Sequence, residues 1–317
     1  MRAGLDGPCD PATVAAAARL AASLGPSAVA LVHYGSTVRP EDAGPGSARD
    51  FFVVVDRYAE AYRALAASGA AWIRPGGAAA LNRVMPPNVI SARPQGDVDR
   101  IPAKCAVFSF EHLRRECSDH PRDHWTRARL CQDVRIAWAR DAAAREAVAA
   151  LVAGVRRRTF DWARPFQPPR FEARGYCRVQ QAVSYAAEVR PEANDRSEEL
   201  LQAQWPVLGA VYGALLEALA ADGRLAREEG AFRDPAPPGT LARARARAFF
   251  ARSKLRATLR WGKYVALYED WLDYALAKVE RRSGERIELT DRERRWPLLF
   301  LWPRAIGYLR RRPQRRP

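Results

Sequence analysis

The sequence predicts an α+β fold, in which a small mixed β-sheet domain is followed by a mainly helical region. Three short runs rich in β-branched and aromatic residues, 28–33, 51–55 and 105–110, predict strands. Helical periodicity prevails from Glu111 onward. With 317 residues, the chain is long enough for two or three domains with a substantial core.

The remaining elements follow from periodicity and from helix-breaking residues. Residues 11–24 are Ala-rich with a period of 3.6, so they predict a helix that ends at Gly25-Pro26. The segment 37–49 predicts a loop, 57–68 predicts a helix, and 70–100 is irregular in pattern. Further helices are expected in four stretches: 111–155, 172–192, 198–225 and 241–282.

Three domains are expected: a mixed-sheet domain, 1–110; a helical, substrate-binding domain, 111–240; and a basic, aromatic helical region, 241–317, which the uneven distribution of charge distinguishes. The whole chain has a net charge of +16, and residues 241–317 carry 21 Lys/Arg against 8 Asp/Glu, a net of +13. A polyanionic partner is therefore expected at the C-terminal quarter.

Composition also limits the class of protein. Hydrophobic residues make up 48%, which excludes a disordered chain, and no apolar run approaches the roughly 18–20 residues of a membrane-spanning helix. The first residues lack the pattern of a secretory signal. Five scattered cysteines predict neither a disulfide framework nor a zinc site, so a cytoplasmic location is expected.

The segment with the clearest chemistry is Gly35-Ser36, which follows the first predicted strand, together with Asp50, which opens the second. A Gly-Ser turn lets the backbone approach a phosphate and offers N–H and hydroxyl donors. A carboxylate on the neighbouring strand can hold Mg²⁺ against a triphosphate. These are the parts that nucleotidyl transfer requires, although each residue could also serve as an ordinary turn or strand end.

This arrangement resembles the signature of the nucleotidyltransferase superfamily, a Gly-Ser turn followed by an acidic strand. Thirteen residues separate Ser36 from Asp50, and Phe52 stands where a second carboxylate is usual. That departure, with Tyr34-Gly35-Ser36 and the Asp50-to-Asp56 strand, resembles the mitochondrial translocator assembly and maintenance family of peripheral CDP-diacylglycerol synthases. Shorter similarities follow in the same order as in that family: 81–82, 86–89, 104–109, 125–135 and 184–190.

The resemblance implies an enzyme that joins CTP and phosphatidate to give CDP-diacylglycerol and pyrophosphate, with Mg²⁺ as cofactor. Tyr34, Gly35 and Ser36 would surround the triphosphate, Asp50 would bind the metal, and Lys104 would neutralise phosphate charge. Asp56 is a candidate second metal ligand beside Asp97 and Asp99, and the expected substrate-binding residues are Asn88, Tyr185 and Arg190. At about 3.3 Å per residue a regular strand separates Asp50 from Asp56 by about 20 Å, too far for one shared ion.

The C-terminal region is expected to bind a membrane. Thr290 to Glu293 has the form of a capping box that starts a helix. The run 296–302 is apolar with Trp at both ends, and eight arginines but no acidic residue follow Glu293. Such a segment, 294–317, predicts docking on an anionic membrane surface, peripheral on its inner face. The helical stripe from Trp261 to Val279 has an ordinary interpretation as core packing.

Two other functions are compatible with the sequence. The chain could be a nucleotidyltransferase for RNA or a small molecule, with the basic tail binding RNA. Nucleic acid is the less favoured partner, because the arginines lie beside an apolar anchor. Alternatively, the domain could be catalytically inactive and serve as a nucleotide-binding or membrane scaffold module, which the missing second carboxylate would favour.

Overall fold

The computed structural model confirms the α+β class and describes most of the chain. The described residues are 1–39, 47–94, 96, 103–187, 195–267, 272–273, 276, 280, 288–296 and 300–301.

A five-stranded mixed sheet forms the centre of the fold, in the spatial order β3-β4-β2-β1-β5. Neighbouring strands are antiparallel except β2 and β4, which are parallel. Strands with continuous apolar sequences indicate a sheet covered on both faces, and β1 is buried at every residue. The five strands are β1 Ala28–Tyr34, β2 Asp50–Val55, β3 Asn88–Ala92, β4 Ala103–Ser109 and β5 Arg135–Ala139.

Helices cover both faces of this sheet. On one face, α1 to α3 pack against Phe51, Val53 and Val107. On the other, α4 to α10 belong to the hydrophobic cluster that includes Phe52 and Phe108. The described helices are α1 Pro11–Leu24, α2 Tyr58–Ala67, α3 Pro75–Val84, α4 Phe110–Glu116, α5 Trp125–Leu130, α6 Ala142–Arg157, α7 Thr159–Ala163, α8 Ala173–Ala186, α9 Asp195–Ala221, α10 Thr240–Leu267 and α11 Asp291–Arg295.

The expected boundary at residue 110 does not divide the core. The prediction of continuous helix over 111–155 is wrong at β5, which pairs with β1 and completes the sheet. One hydrophobic cluster joins β1 and β2 to Tyr212 of α9 and Phe250 of α10. The sheet and the helical region therefore share a core, because the sheet buries its second face only against those later helices.

A buried arginine ties the N-terminal segment to this core. Arg156 of α6 is fully buried and donates to four backbone carbonyl oxygens. Burial lowers the pKa of this guanidinium. The fork-shaped arrangement of guanidinium N–H donors lets one arginine bond several carbonyls at once, which explains how this charged side chain is accommodated in the core. The four acceptors belong to Met1, Ala3, Leu130 and Gln132.

Two smaller features complete the described fold. A second, three-stranded sheet has the order β6-β8-β7, with β6 Arg170–Phe171, β7 Ala226–Glu228 and β8 Ala231–Arg233. The predicted capping box at the start of α11 is confirmed, since Thr290 and Glu293 bond each other's backbone N–H. No helix among the described residues is both long and apolar enough to cross a bilayer.

Candidate active site at one edge of the sheet

Strand register brings the predicted site residues to one edge of the sheet. Tyr34 at the end of β1 pairs with Asp50 at the start of β2, and Asp50 pairs with Lys104 near the start of β4. The backbone N–H of Lys104 donates to the carbonyl of Arg49 at 2.8 Å, which fixes the start of β4 beside Asp50. Three positions far apart in the sequence thus become neighbours.

These side chains share one face of the sheet. Successive strand residues alternate between faces, so Asp50 lies on the same side as Phe52, and Lys104 on the same side as Ala106. That is the face on which Phe52 meets the Trp125 ring, at 5.8 Å between centroids. We call this side of the sheet the α5 face, and it carries Tyr34, Asp50 and Lys104 together.

Asp50 and Lys104 form a partly exposed ion pair. Lys104 Nζ lies 3.6 Å from Asp50 Oδ1, and the two side chains are 25% and 22% exposed. Asp50 Oδ1 itself is buried and has no hydrogen-bond partner among the described residues. A carboxylate oxygen in this state is available to a cation or to a donor on a ligand.

Gly35 allows the turn after β1 to pass very close to Asp50. Its φ of 89° and ψ of −166° lie in a region that is essentially restricted to glycine. A Cβ atom on Gly35 would lie 2.8 Å from Asp50 Oδ2. Ser36 then begins the short 3₁₀ helix Ser36–Val38. Only glycine fits both the conformation and the contact.

The residues behind the turn hold it in place. His33 Nε2 lies 2.8 Å from Thr37 Oγ1, which links the last part of β1 to the turn. Burial, reinforced by the neighbouring charge of Arg49, lowers the pKa of His33 to about 4. His33 is therefore neutral at physiological pH, when it can act as a hydrogen-bonding support but carries no positive charge.

The sequence alone missed one residue of this row. Ser91 of β3 pairs directly with Lys104. It lies two residues after Val89, so the two side chains are on the same side of the sheet, and Val89 packs on the α5 face. Ser91 is buried, at 6% exposure. Tyr34, Asp50, Lys104 and Ser91 thus form one transverse row across four strands. The sequence held no signal for Ser91, because its neighbour depends on the register of β3 against β4.

Two predicted residues lie away from this row. Asp56 follows the far end of β2, and its carboxylate pairs with Arg140 at 2.6 Å. The prediction of Asp56 as a metal ligand beside Asp50 is therefore not supported, since the length of β2 separates them. Asn88 is fully buried, and its amide donates to Tyr62 Oη and Ala78 O at 3.0 and 2.7 Å. Such a position serves packing, not substrate contact.

The other predicted ligands divide into two groups. Tyr185 lies half-buried on α8 beside Ser184, whose hydroxyl contacts His124 Nε2 at 2.9 Å. Its role in substrate binding stays a prediction. Outside the described residues lie Asp97, Asp99, Arg190, much of the stripe from Trp261 to Val279, and the tail from Trp302 to Pro317.

The donor set at the row suits a metal held jointly with a substrate. Among the described residues there is no group of three or more His, Cys, Asp and Glu side chains that could bind a metal. Mg²⁺ commonly binds one or two carboxylates and completes its shell with phosphate oxygens and water. Asp50, whose Oδ1 accepts no hydrogen bond and faces only the ion-pair partner Lys104 among the described residues, fits that arrangement as a single carboxylate ligand.

Comparison of the chain with protein-family models and with curated proteins finds no match.

Proposed function

We propose that this protein is a nucleotidyltransferase that converts CTP and phosphatidate to CDP-diacylglycerol and pyrophosphate. The observation that carries the proposal is the meeting of the Gly35 turn, Asp50 and Lys104 at one sheet edge. The choice of CTP and of phosphatidate comes from the motif resemblance described in the sequence.

The reaction requires little covalent chemistry from the protein. A phosphate oxygen of phosphatidate attacks the α-phosphorus of CTP, the bond from that phosphorus to the bridging oxygen breaks, and pyrophosphate leaves with the bond electrons. Catalysis of this kind depends on positioning and on neutralising the developing charge. A bound Mg²⁺ would supply Lewis acidity toward the phosphates, and Asp50 would hold it.

The Gly35 turn, Lys104 and Tyr34 have separate roles in this scheme. The Gly35 turn lets backbone N–H groups and the Ser36 hydroxyl reach the triphosphate, because no side chain blocks the approach. Lys104 Nζ, 3.6 Å from Asp50, balances the carboxylate in the free protein and can turn to a phosphate oxygen when substrate arrives. The Tyr34 ring packs against the Phe52 ring, with 4.6 Å between the centroids, and lies at the β1 end of the row.

The direct test is product formation. Purified protein is incubated with CTP, Mg²⁺ and phosphatidate vesicles, and CDP-diacylglycerol is measured for wild type, Asp50→Asn and Lys104→Met. We expect Asp50→Asn to lower the rate at least a hundredfold, since a carboxylate that stabilises charge in the transition state is lost. Asp56→Asn, at the far end of β2, is the matched control and keeps activity within about twofold.

The same assay separates the alternatives. Labelled CTP, ATP, UTP and GTP are offered with lipid, RNA and aminoglycoside acceptors. Transfer to RNA or to a small molecule with the same Asp50 dependence would replace the lipid substrate but keep the reaction class. Binding of nucleotide without turnover of any acceptor would favour an inactive module. No product together with no effect of Asp50→Asn on nucleotide binding would reject the site.

A further inference from the structure

The surface where α10 meets α3 combines apolar exposure with one sign of charge. Helix α10 carries eight Lys/Arg residues and no Asp or Glu over its 28 positions. A helix in contact with water alone normally mixes both signs. A helix surface with positive charges only indicates an anionic partner.

The charges of α10 divide into an inward set and an outward set. Arg256 and Arg260 turn to the buried carboxylate of Asp123, and Lys263 donates to the carbonyl oxygens of Leu81 and Pro87. These contacts fix the helix against the rest of the protein. Five basic side chains remain exposed on the helix: Arg243, Arg245, Arg247, Arg252 and Lys254. The docked helix therefore presents a second, outward surface that its own packing does not explain.

Large apolar side chains are also exposed on α10. Leu255 and Leu259, one turn apart, are 60% and 57% exposed. The buried Lys263, one turn further, donates to the Leu81 carbonyl of α3, and the Leu81 side chain is 40% exposed. Val84 is 74% exposed. We name the surface formed by Leu81, Val84, Leu255 and Leu259, with their basic neighbours, the α3–α10 face.

Exposed leucines together with basic side chains indicate a membrane, and not a nucleic acid, as the partner. Phosphate backbones are bound by charge and hydrogen bonds, and exposed leucines add nothing to such contacts. A bilayer interface takes up leucine side chains while its anionic headgroups attract arginine and lysine. Leu255 and Leu259, which share a helix face with Arg252 three and seven positions before them, match the second partner.

We propose that the α3–α10 face docks this protein on an anionic lipid bilayer. The inference deepens the proposed function, which needs access to a lipid acceptor, but it rests on observations away from the sheet edge. It assigns docking to residues other than those of the expected tail segment, 294–317.

Strand β3 links the two surfaces. Its first residue, Asn88, lies just beyond Pro87, whose carbonyl accepts from Lys263. Its fourth residue, Ser91, belongs to the transverse row with Lys104. At about 3.3 Å per residue the two points are about 10 Å apart. A lipid headgroup at the bilayer surface would thus have a short distance to travel to the candidate active site.

The experiment is co-sedimentation of the full chain with vesicles in 0.15 M salt. One vesicle set is pure phosphatidylcholine, and the other contains 30% phosphatidylglycerol, so no substrate is present. We expect wild type to bind the anionic vesicles at least tenfold more tightly. Leu255→Ser with Leu259→Ser should weaken that binding at least tenfold, or about 1.4 kcal/mol. Val14→Ser, an exposed position on α1, is the matched control.

Several outcomes would overturn the proposal. Unchanged vesicle binding by the double leucine variant would assign docking to the C-terminal tail. An equal loss for Val14→Ser would show a non-specific effect. Tight binding of a 30-nucleotide RNA that Arg252→Gln with Lys254→Gln abolishes, with no anionic-vesicle binding, would assign the face to nucleic acid. Circular dichroism checks folding, which these exposed positions should leave intact.

Failure of this proposal is distinguishable from failure of the proposed function. Asp50→Asn should bind vesicles as wild type does, because the sheet edge is not the docking surface. The double leucine variant should turn over a water-soluble short-chain phosphatidate at the wild-type rate but lose turnover on vesicles. Vesicle binding without any nucleotidyl transfer would retain the docking face and reject the enzyme.

Discussion

Replacing Gly35 by alanine tests the geometry on which the candidate site depends. An added Cβ would lie 2.8 Å from Asp50 Oδ2, whereas ordinary contacts of such an atom begin at 3.4 Å. The turn or the carboxylate must therefore move by about half an ångström. Residues other than glycine in this backbone region also cost about 1–3 kcal/mol.

Gly69→Ala provides the matched control. Gly69 also has a positive φ, of 68°, but a Cβ there would meet nothing within 4 Å. Gly69→Ala should lose about 1–2 kcal/mol of unfolding free energy in urea denaturation, and Gly35→Ala about 1–3 kcal/mol. Only Gly35→Ala should in addition weaken nucleotidyl transfer, by about tenfold, since a displacement of about 1 Å at a reacting centre costs about a hundredfold and the shift here is about half of that.

The assay pairs urea denaturation with the rate of CDP-diacylglycerol formation and with calorimetric binding of CTP. Equal activity of Gly35→Ala and Gly69→Ala would refute the reasoning, because it would show that close approach to Asp50 is unnecessary. Loss of stability without loss of transfer would refute it for the same reason. A rate loss confined to Gly35→Ala would support the turn as part of the active site.

Two further predictions concern buried groups. Arg156→Met should lower the unfolding free energy by about 3–5 kcal/mol, because four backbone carbonyls around a fully buried side chain lose their donor. Arg157→Met on the exposed side of α6 should change it by less than about 0.5 kcal/mol, and equal urea midpoints would contradict this. His33, with its pKa lowered to about 4, binds a proton in the unfolded chain before it does so in the folded one. Stability present above pH 6.5 should therefore fall by about 3 kcal/mol between pH 6.5 and 4, and His33→Gln should flatten that part of a urea-titration profile; a slope unchanged by the substitution would contradict the assignment.

Local pattern was sufficient for the elements that carry strong periodicity. The helix predicted at 11–24 is α1, and the runs at 28–33 and 51–55 are β1 and β2 within one residue. Their sequences alone determine these structures, because Ala-rich periodicity and continuous β-branched runs leave few competing conformations. The capping box at Thr290 was readable for the same reason.

Elements that depend on distant partners were not predictable in this way. Strand β5, Arg135–Ala139, has five residues between two helices, and β3 follows consecutive prolines, so neither displays a long pattern. Helix α3 begins with Pro-Gly-Gly, which reads locally as a turn. Pairing with β1 and β4 supplies what local propensity lacks.

The same distinction between local pattern and distant partners applies to the residues of the candidate site. The spacing of Gly35, Ser36 and Asp50 suggested a phosphate-binding turn, because those residues are close in sequence. The parallel pairing that places Lys104 beside Asp50, and the register that adds Ser91, arise only when β2, β4 and β3 assemble. Sequence spacing likewise could not assign Asp56 to its ion pair with Arg140.

The anchoring of α10 by buried contacts has a consequence for how the protein could evolve. Asp123 and the Leu81 carbonyl hold the inner side of the helix, whereas Leu255 and Leu259 on its outer side are mostly exposed. Substitutions on the outer side would alter the affinity for a surface while the fold and the sheet edge stay as they are. One helix thus separates the selection for stability from the selection for location.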